Sequence, residues 1–200
     1  VAPLIPADPP SEKEPLPAFI AAAFDPNSVQ AAAFGNTGGY LSEPDCRAAH
    51  AAEIPAANGI TNARGLAGLY APLACGGSLG SVKLIDADTL SRMSAVFSAT
   101  SVDAVYLMPV RYALGFHKAV DNRKQPPDRR RSLILSEDAF GHVGAGGFLG
   151  FADPRARMSF GYTMNKMGPS GLLNERGQSL VDATYRCLGY TSNASGRWIE

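Results

Sequence analysis

A chain of 200 residues with 46% hydrophobic content is long enough to bury one core, and its mean hydropathy of -0.05 excludes both a disordered polymer and a membrane bundle. Its 18 basic and 18 acidic side chains give a formal net charge of +0, so no bulk field draws nucleic acid or an acidic membrane. No apolar run reaches bilayer length and no basic-then-apolar leader is visible. Cys46, Cys75 and Cys187 show neither metal spacing nor a disulfide framework, which predicts a reducing, cytoplasmic setting.

Residues 1–17 carry too many prolines for a helix or a central strand and predict a surface linker. Residues 18–103 read as mostly helical. Ala18-Phe19-Ile20-Ala21-Ala22-Ala23-Phe24 is a short helical patch, with breaks at Pro26 and at Gly38-Gly39. A clearer helix follows Thr61, its predicted cap, with Leu66, Leu69, Tyr70 and Leu73 recurring on one face. Pro72 removes a hydrogen bond from its last turn and Gly76-Gly77 ends it. Another helix is predicted from Asp86 or Asp88, with Leu90, Met93 and Phe97 on one side.

Residues 104–190 turn to strands and a closing helix. Tyr112-Ala113-Leu114-Gly115-Phe116 reads as one strand, followed by a loop rich in Pro, Asp and Arg over 121–131. Residues 140–151 and 157–165 read as two more, joined by the hairpin signal Ala152-Asp153-Pro154-Arg155-Ala156. A helix from about Asn174 to Leu188 places Leu180, Val181, Thr184 and Leu188 on one face, and residues 191–200 read as a tail. Helices, then an antiparallel hairpin, then a closing helix predict an α+β fold of one domain.

Most candidate motifs fail on context. Gly76-Gly77-Ser78-Leu79-Gly80 fits G-x-S-x-G, but that elbow needs a strand before it and a helix after it, and here the order is reversed. Gly144-Ala145-Gly146-Gly147-Phe148-Leu149-Gly150 misses the third glycine of a dinucleotide fingerprint by one position and leads into a hairpin. Arg129-Arg130-Arg131 reads as a solvated loop in a neutral chain. His50 and His117 have no metal-ligand spacing. His142 differs, because Gly141, Gly144, Gly146 and Gly147 surround it. A donor side chain beside bare backbone N–H groups is what an oxyanion site requires. A histidine beside a strand also serves structural ends, and spacing alone leaves both readings open.

Two segments resolve the ambiguity by resemblance. Glu53-Ile54-Pro55-Ala56-Ala57-Asn58-Gly59-Ile60-Thr61-Asn62-Ala63-Arg64-Gly65-Leu66-Ala67 and the run 140–167 resemble the serine β-lactamase-related hydrolases, most nearly the class C-like, family VIII carboxylesterase branch. Gly80-Ser81-Val82-Lys83-Leu84-Ile85-Asp86 and Thr89-Leu90-Ser91-Arg92-Met93 resemble the family's connecting segment, in the same order. The resemblance implies the β-lactamase/transpeptidase-like fold, no cofactor, and an acyl-enzyme mechanism on a small ester or amide. It places His142-Val143-Gly144 at the family's K-T-G or H-x-G motif. By that analogy His142 holds substrate and tunes proton transfer, Gly144 leaves room for the acyl group, and the Ala145 N–H is an oxyanion-hole donor.

The departure is as informative. No S-x-x-K nucleophile motif occurs in the sequence, and Tyr40-Leu41-Ser42, nearest to the family's tyrosine motif, sits too close to Asn58 for the family's order. The expectation is therefore the C-terminal half of such an enzyme, inactive and poorly stable or self-associating alone, whose partner is the missing N-terminal half. The alternative is a non-catalytic ligand-binding protein that keeps the cleft wall without the nucleophile.

Overall fold

Helices dominate the first half of the computed structural model, which describes residues 1–9, 15–35, 43–57, 59–169 and 171–200. They are α1 (Ala18–Ala22), α2 (Val29–Gly35), α3 (Arg47–Ala51), α4 (Ala63–Ala74) and α5 (Ala87–Ser94), with the two-residue strands β1 (Ser78–Leu79) and β2 (Val82–Lys83) between the last two. There follow β3 (Ser98–Thr100), β4 (Val110–Tyr112), β5 (His117–Lys118), β6 (Phe140–Val143), β7 (Leu149–Asp153), β8 (Met158–Tyr162) and α6 (Glu175–Cys187). Strands β3 to β8 form one six-stranded sheet in chain order, every neighbouring pair antiparallel. This is the α+β architecture the sequence predicts.

Side chains at each helix entry explain where the longer helices start. Asn62 Oδ1 accepts from the Gly65 N–H at 2.9 Å, so the cap of α4 is Asn62 rather than the expected Thr61. Asp86 caps α5 through the Thr89 N–H at 2.8 Å, and this bond, joined by the Thr89 hydroxyl, holds the Asp86 carboxyl below its ordinary range. Asn174 caps α6 through the Gly177 N–H at 3.2 Å.

The sheet has a helix on each face. On one side α4 lies across β7 and β8, and Tyr70, Ala74 and Leu90 pack with Phe140 and Ala152. Gly150 and Gly161, paired across β7 and β8, let the helix come this close: a Cβ on Gly150 would overlap Tyr70 and Leu66, and one on Gly161 would meet the backbone of Ala63 and Ala67. On the other side α6 buries Val181 and Tyr185 against Leu149 and Phe151. Tyr185 stacks on Phe151 and Trp198 at 6.2 and 5.8 Å between ring centres. Its hydroxyl donates to the fully buried Asp153 carboxyl at 2.8 Å and accepts from the Ser136 N–H at 3.1 Å. Burial, then the neighbouring Asp153, raises the Tyr185 hydroxyl well above its ordinary value.

Several elements differ from the sequence expectation. Of the expected strand Tyr112-Ala113-Leu114-Gly115-Phe116 only Tyr112, the last residue of β4, is in a strand; residues 113–116 are the turn to β5, where the Ala113 N–H bonds the Phe116 carbonyl at 2.8 Å and Gly115 has φ of 82°. The run 140–151 is two strands with a turn over 144–148. On α4 the outlier is Leu69, which faces solvent. Phe97 lies beyond the end of α5, exposed, its N–H on the Tyr112 carbonyl. The buried face of α6 is Gly177, Val181 and Tyr185, whereas Leu180 and Leu188 are exposed. On α4 and α6 the apolar spacing fits a helix, but packing against the sheet selects which apolar residues are covered.

The chain ends are tied down where they are described. Trp198 is buried and its N–H bonds the Leu135 carbonyl at 3.0 Å, so 191–200 includes a docked segment. Ile5 bridges in parallel to Lys166, which pairs with Asp8 at 2.6 Å. Cys46, Cys75 and Cys187 are free thiols. Gly38-Gly39, Tyr40-Leu41-Ser42 and Asn58 fall outside the described residues. Among the described residues no helix is long and apolar enough to cross a membrane.

Candidate active site

The three residues singled out in the sequence, His142, Gly144 and Ala145, fall together at the end of β6 and in the turn to β7. His142 is paired with Gly150 of β7, and its side chain is exposed. Its Nδ1 lies 2.7 Å from the Val143 carbonyl, and its ring packs on that of His117 at 4.6 Å between centres. Beneath the strand, Tyr70 of α4 brings its hydroxyl to the His142 backbone; burial raises that hydroxyl to about 12, partly offset by this contact.

The turn is closed by the Gly144 N–H on the Phe148 carbonyl at 2.8 Å and the Gly147 N–H on the Gly144 carbonyl at 3.0 Å. Gly146 and Gly147 have φ of 81° and 104°, a region that L side chains seldom enter. Between them and His142, Ala145 is exposed, and its N–H has no acceptor among the described residues. At Gly144 a Cβ would come 3.1 Å from the Phe148 Cβ, so its missing side chain accommodates Phe148 across the turn.

What holds this turn comes from far along the chain. Asn174 Nδ2 donates to the Gly146 carbonyl at 2.8 Å while its Oδ1 caps α6, and the Gly168 N–H donates to the same carbonyl at 2.8 Å. Asn174 is buried. The helix cap and the site turn are thus one polar unit. Asn174 and His117 were not assigned a site role from the sequence. A cap asparagine is visible there, but its second bond spans 28 residues and leaves no local signal.

Ser78 opens β1, exposed, directly after a helix, so it lacks the strand-to-helix turn of an activated serine. On β5, beside His117, Lys118 is buried and lines a cavity of about 230 Å³ with Ser91, Ser94 and Glu137; its Nζ donates to the Asp138 carbonyl at 3.3 Å.

A helix-backed antiparallel sheet, with an imidazole and a free backbone N–H at the end of one strand, defines a protein of the β-lactamase/transpeptidase-like fold. The Beta-lactamase family model matches residues 7–184, and the chain belongs to that family. It is 39% identical to a family VIII carboxylesterase of known crystal structure, covering 70% of this chain and 36% of that one with a TM-score of 0.61. With EstA from Arthrobacter nitroguajacolicus Rue61a it shares 27% identity and a TM-score of 0.71, over 94% of this chain and 46% of that one. In sequence it is 30% identical over 116 residues to Esterase/beta-lactamase LipL of Mycobacterium tuberculosis (strain ATCC 25618 / H37Rv), covering 58% of this chain and 24% of that protein. The chain spans less than half the length of each of these relatives.

Proposed function

We propose that this chain forms the H-x-G wall of a serine hydrolase that works through an acyl-enzyme, with the nucleophilic serine, its lysine and the tyrosine supplied by residues outside this sequence. The observation that carries the reading is the exposed His142 imidazole near the end of β6, followed three residues later by the exposed Ala145, whose N–H has no acceptor among the described residues. The names of the relatives, esterase and carboxylesterase among them, support the same class.

In this reading the serine Oγ attacks the ester carbonyl carbon and gives its proton to the partner base. The carbonyl oxygen takes the negative charge and accepts from the Ala145 N–H. Collapse of the tetrahedral adduct breaks the ester C–O bond, and the alcohol leaves with a proton. Water then repeats the attack on the acyl-enzyme, releasing the acid and restoring the serine. In the same reading His142 helps hold the substrate and tunes proton transfer. A histidine in place of lysine favours ester substrates over carboxylate-bearing β-lactams, because a neutral imidazole is a weaker anion partner than a fixed ammonium.

The test is hydrolysis of a short-chain aryl ester by this chain combined with a segment that carries an S-x-x-K motif. His142→Ala is expected to lower turnover on the order of 10²-fold, the low end for loss of a general acid or base. Unchanged kinetics would remove His142 from the site. Ester binding with no turnover in any combination would favour the ligand-binding alternative.

A further inference from the structure

His117 is the buried titratable group that the proposed chemistry does not use. It is 1% exposed, and its Nδ1 has no hydrogen-bond partner among the described residues. A polar atom left unpaired in a core carries a cost. Its neighbours are rings: Tyr112 at 4.7 Å, Tyr106 at 6.3 Å and His142 at 4.6 Å between centres. His117 thus stands between a wall of two tyrosines and the imidazole of the candidate site.

The geometry of His142 then fixes its proton. A ring nitrogen 2.7 Å from a carbonyl oxygen must carry the hydrogen, since two lone pairs would repel at that distance. With the proton on Nδ1, Nε2 is left as an acceptor, and it has no bond among the described residues. Rotation of the ring about its Cβ–Cγ bond would break the Nδ1 bond, and the edge-on contact with His117, at 62° between planes, opposes that rotation.

We propose that His117 is a positioning residue for His142, its buried ring holding the neighbouring imidazole in the Nδ1–H tautomer so that Nε2 faces the cleft as a proton acceptor. The surrounding groups suit this arrangement. Burial, then the nearby His142, lowers His117 to about 3, so it stays neutral where histidines ordinarily titrate. Tyr70 of α4, Tyr106 before β4 and Tyr112 of β4 are all raised, mainly by burial, with Asp103 adding to the shift of the last two. Lys118, next along β5, turns instead toward Glu137 and Asp138. The tyrosine hydroxyls therefore bring no charge change to the ring pair near neutral pH.

This inference rests on reading His142 as a site residue for its meaning, but its test needs no substrate, so failure of the hydrolase reading is seen separately. The experiment is a long-range proton–nitrogen correlation spectrum of the full chain labelled with ¹⁵N-histidine, at pH 8. The three histidines are assigned with His50→Gln, His117→Phe and His142→Asn. The wild-type His142 is expected to show a protonated Nδ1 and an unprotonated Nε2. His117→Phe, which keeps the aromatic wall, is expected to retain that pattern, and His117→Leu to lose it toward an averaged pair of nitrogens. A wild-type His142 protonated mainly on Nε2 would overturn the proposal, and needs no variant to fold. An unchanged His142 pattern in a folded His117→Leu protein would overturn it equally.

Discussion

The β6–β7 and β7–β8 hairpins share strand β7 but close their turns by different means. In the β7–β8 turn the chain supplies its own clamp: Asp153 Oδ1 accepts from the Ala156 N–H at 3.1 Å, and its Oδ2 accepts from Ser136 and Tyr185 hydroxyls at 2.6 and 2.8 Å. The β6–β7 turn has almost no side chains of its own and is held from outside by Asn174 and the Gly168 N–H. The β7–β8 turn is anchored in the core, whereas the β6–β7 turn leaves the Ala145 N–H without an acceptor among the described residues and follows an exposed His142 ring. That contrast separates a turn that stabilises from the turn to which the proposed function assigns the chemistry.

If the contrast is right, the largest loss of stability comes from the anchored turn. Asp153→Ala leaves two buried hydroxyls and a turn N–H without their acceptor and is expected to cost on the order of 3 kcal/mol, read as a lowered urea midpoint. A change under about 0.5 kcal/mol, the range of a surface site, would erase the distinction.

A pH comparison probes the other side. A histidine lowered from 6.5 to about 3 on folding binds its proton more readily in the unfolded chain. Its contribution is fully present above about pH 6.5 and is lost as pH falls toward 3, at about 1.4 kcal/mol per pH unit. His117→Phe removes this slope, so the difference in stability between the two proteins should shift steadily in favour of the variant on acidification. A constant difference would place the ring in water, not in the core.

Smaller again is the loss expected for Asn174→Ala, about 1 kcal/mol for the cap of α6. The sharper readout is local: amide exchange at Gly168 and in the 144–148 turn should quicken more than in β8, because the Gly146 carbonyl loses one of its two donors. Equal quickening everywhere would make Asn174 a helix cap alone.

The same two hairpins show what was legible in the sequence. Asp153-Pro154 announces its turn locally, and β7 and β8 pair across it. The glycines near His142 suggest bare backbone at an oxyanion site, yet Gly150 is bare to seat α4, and Gly146 and Gly147 are bare to admit Met167 and Asn174. Glycine marks a close approach without naming what approaches. The family is legible in motifs taken in order, while His117 and Asn174 make contacts 25 and 28 residues away that periodicity does not encode. Likewise Leu180 and Leu188 fit an apolar stripe that the sheet does not cover.

The most direct test of the central claim is labelling of the purified chain with a fluorophosphonate probe, read by peptide mass spectrometry, with and without an added segment bearing S-x-x-K. The account predicts no labelled serine in this chain under either condition, and a label on the added segment's serine when the two are combined. A label on Ser78, or on any other serine of this chain alone, would show a self-sufficient nucleophile and contradict the assignment of this chain to one wall of the site.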